Sequence, residues 1–156
     1  MAKRKSKKMP NWLVFIPVLL AVVVVVMMFL TTVKYTGKLL GSELSYTGWQ
    51  VIFGAKEKNT EAQILAFSFL NMLALLLPVA GALLQVSKSK VLKLVGAVCA
   101  LAGTIMLFLM PNMVVFAENV GTVYKAYTAS LGVGAIIAGI CGALETLVIG
   151  YEVVAK

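Results

Sequence analysis

Residues 12–33 read WLVFIPVLLAVVVVVMMFLTTV, an uncharged apolar run. It reaches the length of about 20 residues that a helix needs to cross ~30 Å of hydrocarbon. Three further stretches of this kind follow, at residues 62–86, 91–110 and 127–150. The hydrocarbon core holds no water to satisfy backbone N–H and C=O groups, so each stretch is predicted to close its own hydrogen bonds as a helix. The valine run at residues 22–26 favours a strand in water, and the bilayer overrides that preference. A 61% hydrophobic composition and a mean hydropathy of +0.97 agree. The predicted fold is an all-α membrane protein, a four transmembrane helix bundle. It comprises a basic cytoplasmic tail at residues 1–11, one domain at residues 12–156 and a short folded extracellular loop at residues 35–61.

Orientation follows from the basic residues beside the helix ends. Lys3, Arg4, Lys5, Lys7 and Lys8 precede the first span, and Lys88, Lys90 and Lys93 surround the turn between the second and third. Both regions are expected in the cytoplasm, which puts both termini there. The first-to-second connection mixes lysines with Glu43, Glu57 and Glu61, and the third-to-fourth carries Glu118 and Lys125. These two connections are expected outside, on a multi-pass protein of the cell membrane. The formal charge of +8 is explained by this topology and by attraction of the basic tail to anionic lipids, so no nucleic-acid partner is expected. The apolar run at residues 13–30 is longer than the ~7 to 15 residues of a signal-peptide core, and no A-x-A site follows. A retained first helix is expected.

The chain contains no His and no Asp, which excludes a Ser-His-Asp triad, an HExxH zinc site and an EF-hand loop. Cys99 and Cys141 fall inside predicted spans, and neither a CxxC pair nor a glycine-rich phosphate loop is present. No enzymatic activity, no cofactor and no metal site is therefore expected.

Helix faces supply the candidate residues. In the second span Ser68, Asn71, Leu75, Pro78, Ala82 and Gln85 form one stripe of small and polar side chains. Asn71 is placed near mid-membrane, bonded across a helix interface, and Pro78 is expected to kink the helix. Gly96 and Gly103 line a seam of the third span; Gly134, Ala138 and Gly142 line one of the fourth. These small residues permit close helix packing, within the subunit or in a homodimer. Glu145 lies on the same face as Ala138 and Gly142 and is the one acidic residue within a predicted span. An intramembrane carboxylate marks a candidate ion or proton site whose partner should be named. The expected tether is Lys93, Lys90 or Gln85, with cation handling and contact with another subunit as alternatives.

The outer loop is too long for a simple turn. Thr47 is predicted to cap a helix over residues 48–53 that Gly54 ends. Trp49, Ile52 and Phe53 then form an apolar face, a lid on the helix ends or a recognition surface. Residues 33–38 and 44–46 are predicted to pair as a hairpin over Gly41-Ser42. Pro111 is read as a helix stop, and Tyr124 and Tyr127 as part of the outer aromatic belt.

Four spans, both ends inside, a larger first outer loop and the segment YTGWQVIFG at residues 46–54 resemble the small uncharacterised four-helix integral membrane proteins of Gram-positive bacteria. The resemblance implies a bacterial plasma membrane and carries no activity. The topology is also similar to that of claudins and tetraspanins, whose outer cysteines are absent here. Small multidrug transporters are similar in span number and in one membrane glutamate, theirs being in the first helix. The expected function is that of an accessory or scaffold subunit acting through a membrane-protein partner or as a homo-oligomer. The alternative is a small transporter or channel subunit that uses Glu145, with Asn71 and Gln85 lining the path.

Overall fold

The computed structural model describes residues 11–39, 41–56, 62–118 and 120–155. A 3-10 turn at Asn11–Val14 leads into α1 (Phe15–Met27), followed by β1 (Thr31–Gly37), β2 (Glu43–Thr47), α2 (Gly48–Phe53), β3 (Ala55–Lys56) and β4 (Gln63–Leu65). The two helices α3 (Phe69–Gln85) and α4 (Lys90–Phe108) come next, then a 3-10 turn at Met110–Met113, α5 (Gly121–Tyr124), β5 (Tyr127–Leu131) and α6 (Val133–Ala155). The all-α expectation is thus corrected: the chain is mostly helical but carries two sheets.

Each correction falls at the same end of the long helices. The helix predicted to reach residue 33 stops at Met27, because Met28, Phe29 and Leu30 turn back onto the carbonyls of Val25, Val26 and Met27. The β-branched Thr31, Thr32 and Val33 then enter a strand. The second predicted stretch becomes helix at Phe69 rather than at residue 62, capped by Ser68, whose hydroxyl accepts from the Asn71 N–H at 3.3 Å. The fourth begins at Val133 rather than 127, since residues Tyr127–Leu131 pair with β1. After this trimming α4 and α6 are long and apolar enough to cross a membrane, while the apolar helices Trp12–Met27 and Phe69–Gln85 are shorter.

Strand order in the larger sheet is β2-β1-β5, both pairings antiparallel, and β3 pairs antiparallel with β4. The predicted hairpin is present, with Gly41 at φ 61° in its turn, a backbone shape that glycine adopts without a Cβ clash. The predicted α2 is present too. The Thr47 hydroxyl accepts from the Gln50 N–H at 3.4 Å while the Thr47 N–H donates to Gln50 Oε1 at 3.0 Å, a capping box. Gly54 ends the helix at φ 99°.

The sheet end shares one core with the long helices, and aromatic rings fill its part of it. Tyr35, Tyr46, Phe116 and Tyr124 interlock, with Phe116 stacked on Tyr124 at 4.7 Å and Tyr35 edge-on to Phe116 at 5.6 Å. The hydroxyls of Tyr46 and Tyr124 share a 2.7 Å hydrogen bond. Tyr124, expected in an aromatic belt, is buried here instead, because α5 folds the third-to-fourth connection onto the sheet. Burial, and secondarily the nearby Tyr124, push the Tyr35 hydroxyl up to about 12.

The long helices neighbour one another in the order α1, α3, α4, α6, with α6 returning to α1. Glycines seal three of these four interfaces. A β-carbon on Gly81 would come within 2.8 Å of the Gly96 carbonyl of α4, and one on Gly103 would strike the Pro78 ring. On α6, Gly142 faces Thr104 of α4 and Gly134 faces the end of α1. The small residues singled out in the sequence, buried Ala138 included, therefore serve packing within the subunit.

Candidate functional site

Ionisable side chains gather at the end of the helices remote from the sheets. Lys93, one turn into α4, faces α6 and places Nζ 3.4 Å from Glu152 Oε2, both side chains buried. Gln85, in the last turn of α3, donates from Nε2 to the Lys93 carbonyl at 3.1 Å. Three helices are thus tied together at one level, and Lys93 is the hub. Among the described residues Gln85 Oε1 and Glu152 Oε1 have no hydrogen-bond partner.

Glu145 stands seven residues before Glu152, two turns deeper along the same face of α6. At 1.5 Å per residue the separation is about 10 Å. Glu145 is fully buried, and neither of its oxygens has a hydrogen-bond partner among the described residues. The tether expected from Lys93, Lys90 or Gln85 is corrected: Lys93 pairs with Glu152, and among the described residues no salt bridge reaches Glu145. The cause is helix length. With α6 running to Ala155, Glu145 sits at the helix midpoint, three residues past Gly142, which faces Thr104, and seven before Glu152, which meets Lys93.

Asn71 is not part of this cluster. It lies in the first turn of α3, at the sheet end, where its Nδ2 donates to the Met113 carbonyl at 3.1 Å beside the Ser68 hydroxyl at 2.8 Å from the same acceptor. The expected cross-element bond exists, but at the helix end and not at mid-depth. Asn71 and Glu145 therefore do not share a path.

The proposed recognition face divides. Ile52 is fully buried and Trp49 half-buried, so α2 rests on the helix ends as a lid. Phe53 is 61% exposed and stacks on Trp49 at 5.8 Å, within a row that runs Phe29, Trp49, Phe53, Phe67. This row crosses from the end of α1 to the start of α3.

Sequence reasoning missed Glu152, which the predicted helix end at residue 150 left outside. Its sevenfold spacing from Glu145 was the available signal. Tyr35 and Phe116 gave no signal, since only the fold brings them together. Among the described residues, no cluster of three or more His, Cys, Asp or Glu side chains could hold a metal ion. Compared with family models, with curated proteins and with solved structures, the chain matches none.

Proposed function

We propose that the chain is a four-span membrane protein with both termini cytoplasmic, acting without catalysis as an accessory or scaffold subunit through contacts with other membrane components. The observation that carries this reading is an inverted distribution of polarity. Glu145, Glu152 and Gln85 are buried between the helices and Asn71 at their sheet end, while each long helix turns a row of large apolar side chains outward. On α1 the row is Phe15, Leu19, Val22 and Val26; on α4 it is Leu94, Val98, Leu101 and Ile105; on α6 it is Ile136, Ile140, Leu144 and Leu147. On α3 Leu76 and Leu83 are exposed in the same way. An apolar surface encircling the molecule has no place in water and suits hydrocarbon.

The shorter helices fit the same span. Counting its 3-10 entry, α1 is about 27 Å long, and α3 is about 26 Å, close to the ~30 Å of a bilayer core. The row from Phe29 to Phe67 marks the outer membrane interface, where aromatic rings collect. Exposed Phe53 and Phe67 are the surface offered to a partner. Affinity purification of a tagged copy from native membranes in mild detergent tests this. A stoichiometric partner retained by the wild type and lost with Phe53→Ser/Phe67→Ser, at unchanged Tm, is the expected result. A chain that purifies alone from every condition counts against it.

Glu145, fully buried and without a hydrogen-bond partner among the described residues, favours one second reading, a small transporter or channel subunit in which this carboxyl takes up and releases a proton or cation. Flux through proteoliposomes that is abolished by Glu145→Gln supports that reading, and flux indifferent to the change removes it.

A further inference from the structure

The larger sheet has two edges of unlike chemistry. At β2 the edge is guarded: Glu43 sets a charge at its start, and the Thr47 N–H is committed to Gln50 Oε1. At β5 it is bare. The strand reads YTASL, with no charge, no proline and no bulge against β1, and Thr128, Ala129 and Ser130 are all exposed.

The ladder fixes which backbone groups this edge presents. Residues of an antiparallel pair alternate between partners that exchange hydrogen bonds and partners that do not. Beside β5 the Gly132 N–H donates to the Thr32 carbonyl at 2.8 Å, and the Lys38 N–H donates to the Ala126 carbonyl at 3.2 Å. Two-residue steps from these contacts put Ser130 and Thr128 in bonded pairs with Lys34 and Thr36. The N–H and C=O groups of Tyr127, Ala129 and Leu131 therefore point away from β1, and among the described residues no backbone group bonds to them.

We propose that β5 pairs with β5 of a second copy of this chain, antiparallel about a twofold axis at Ala129, joining the two sheets into one. The strand complements itself in that register. Tyr127 falls opposite Leu131 of the second copy, Thr128 opposite Ser130, and Ala129 opposite its own equivalent. Every outward N–H and C=O of Tyr127, Ala129 and Leu131 then meets an outward group of the other copy. A slip of one residue would set outward groups against inward ones and leave them all unbonded. The hydroxyls of Thr128 and Ser130 face one another across the strands, a favourable cross-strand pair, and no like charges meet. The small side chain of Ala129 leaves the axis clear.

Five paired residues make a small contact, and the membrane supplements it by holding both copies at one height. The inference draws on the membrane reading for this help alone, and the two fail separately: a chain recovered in membranes whose Ala129→Cys variant stays unlinked overturns only the dimer. The test is oxidative cross-linking of the full chain in its native membranes, with Cys99 and Cys141 replaced by Ala. Cα atoms of a bonded antiparallel pair lie about 5.5 Å apart, within reach of a disulfide. Ala129→Cys is therefore expected to cross-link into a dimer about tenfold more than Ser45→Cys, an exposed position on the guarded β2 edge. Co-expressed Thr128→Cys and Ser130→Cys copies are expected to cross-link to one another more than either does to itself. With those two cysteines as reporters, Ala129→Pro removes an outward N–H and no internal bond, and the cross-link is expected to fall at unchanged Tm. Ala129→Lys sets like charges together at the axis and is expected to do the same, whereas mixing Ala129→Lys with Ala129→Glu copies restores the cross-link. Ala129→Cys that links no better than Ser45→Cys overturns the proposal, as does linking that persists with Ala129→Lys in both copies.

Discussion

Lys93 and Glu152 meet at 3.4 Å with almost no solvent contact, so each charge is tolerable chiefly because of the other. Removing one partner leaves the second buried and uncompensated, a loss of about 3–5 kcal/mol, whereas replacing both by apolar groups of like volume is close to neutral. Lys93→Met is therefore expected to lower Tm sharply and Lys93→Met/Glu152→Met to recover most of the loss, measured by melting in detergent. Tyr35 gives a second test at this scale. Its hydroxyl is raised from 10.0 to about 12 in the folded chain, so its contribution to stability is complete below pH 10. The contribution is lost between pH 10 and 12, where the unfolded phenol ionises and the folded one resists. Across that window the wild type should lose more Tm than Tyr35→Phe; parallel curves would contradict the assignment. Neither pair was legible in the sequence. Glu152 lay past the expected helix end, and Tyr35 meets Phe116 and Tyr124 across some eighty residues of chain, a distance no local pattern reports.

At the scale of elements, local signals that need only near neighbours were legible. The Thr47 cap, the Gly54 stop and the Gly41 hairpin turn all lie where the residue types place them, because each is decided within a few residues. Helix ends were not legible. The predicted spans took in residues 31–33 and 127–131 with the apolar runs beside them, yet these residues belong to β1 and β5, which pair with one another in a sheet. Strand pairing is non-local, so β5 was read as helix. Small-residue seams were legible as seams, and only the structure assigns them to partners. Gly103→Val would drive a side chain into the Pro78 ring and is expected to cost about 1–3 kcal/mol by overpacking. Gly150→Ala, with nothing within 4 Å of its β-carbon, is expected to be neutral or slightly stabilising. Equal melting of the two variants would contradict the glycine-sealed interfaces.

For the whole molecule, the central claim is that all four long helices cross the membrane and the two sheets lie outside it. Impermeant maleimide labelling of single cysteines in intact cells tests this most directly. Cys99 and Cys141 are replaced by Ala, and one cysteine at a time is placed at exposed Ser42, Ser89 or Thr128. If only α4 and α6 span, Ser42 and Ser89 share a side and Thr128 lies opposite. If four helices span, Ser42 and Thr128 share a side and Ser89 lies opposite. The account predicts that cysteines at 42 and 128 label from outside, and that the one at 89 labels only after permeabilisation. Labelling in which positions 42 and 89 behave alike would contradict it.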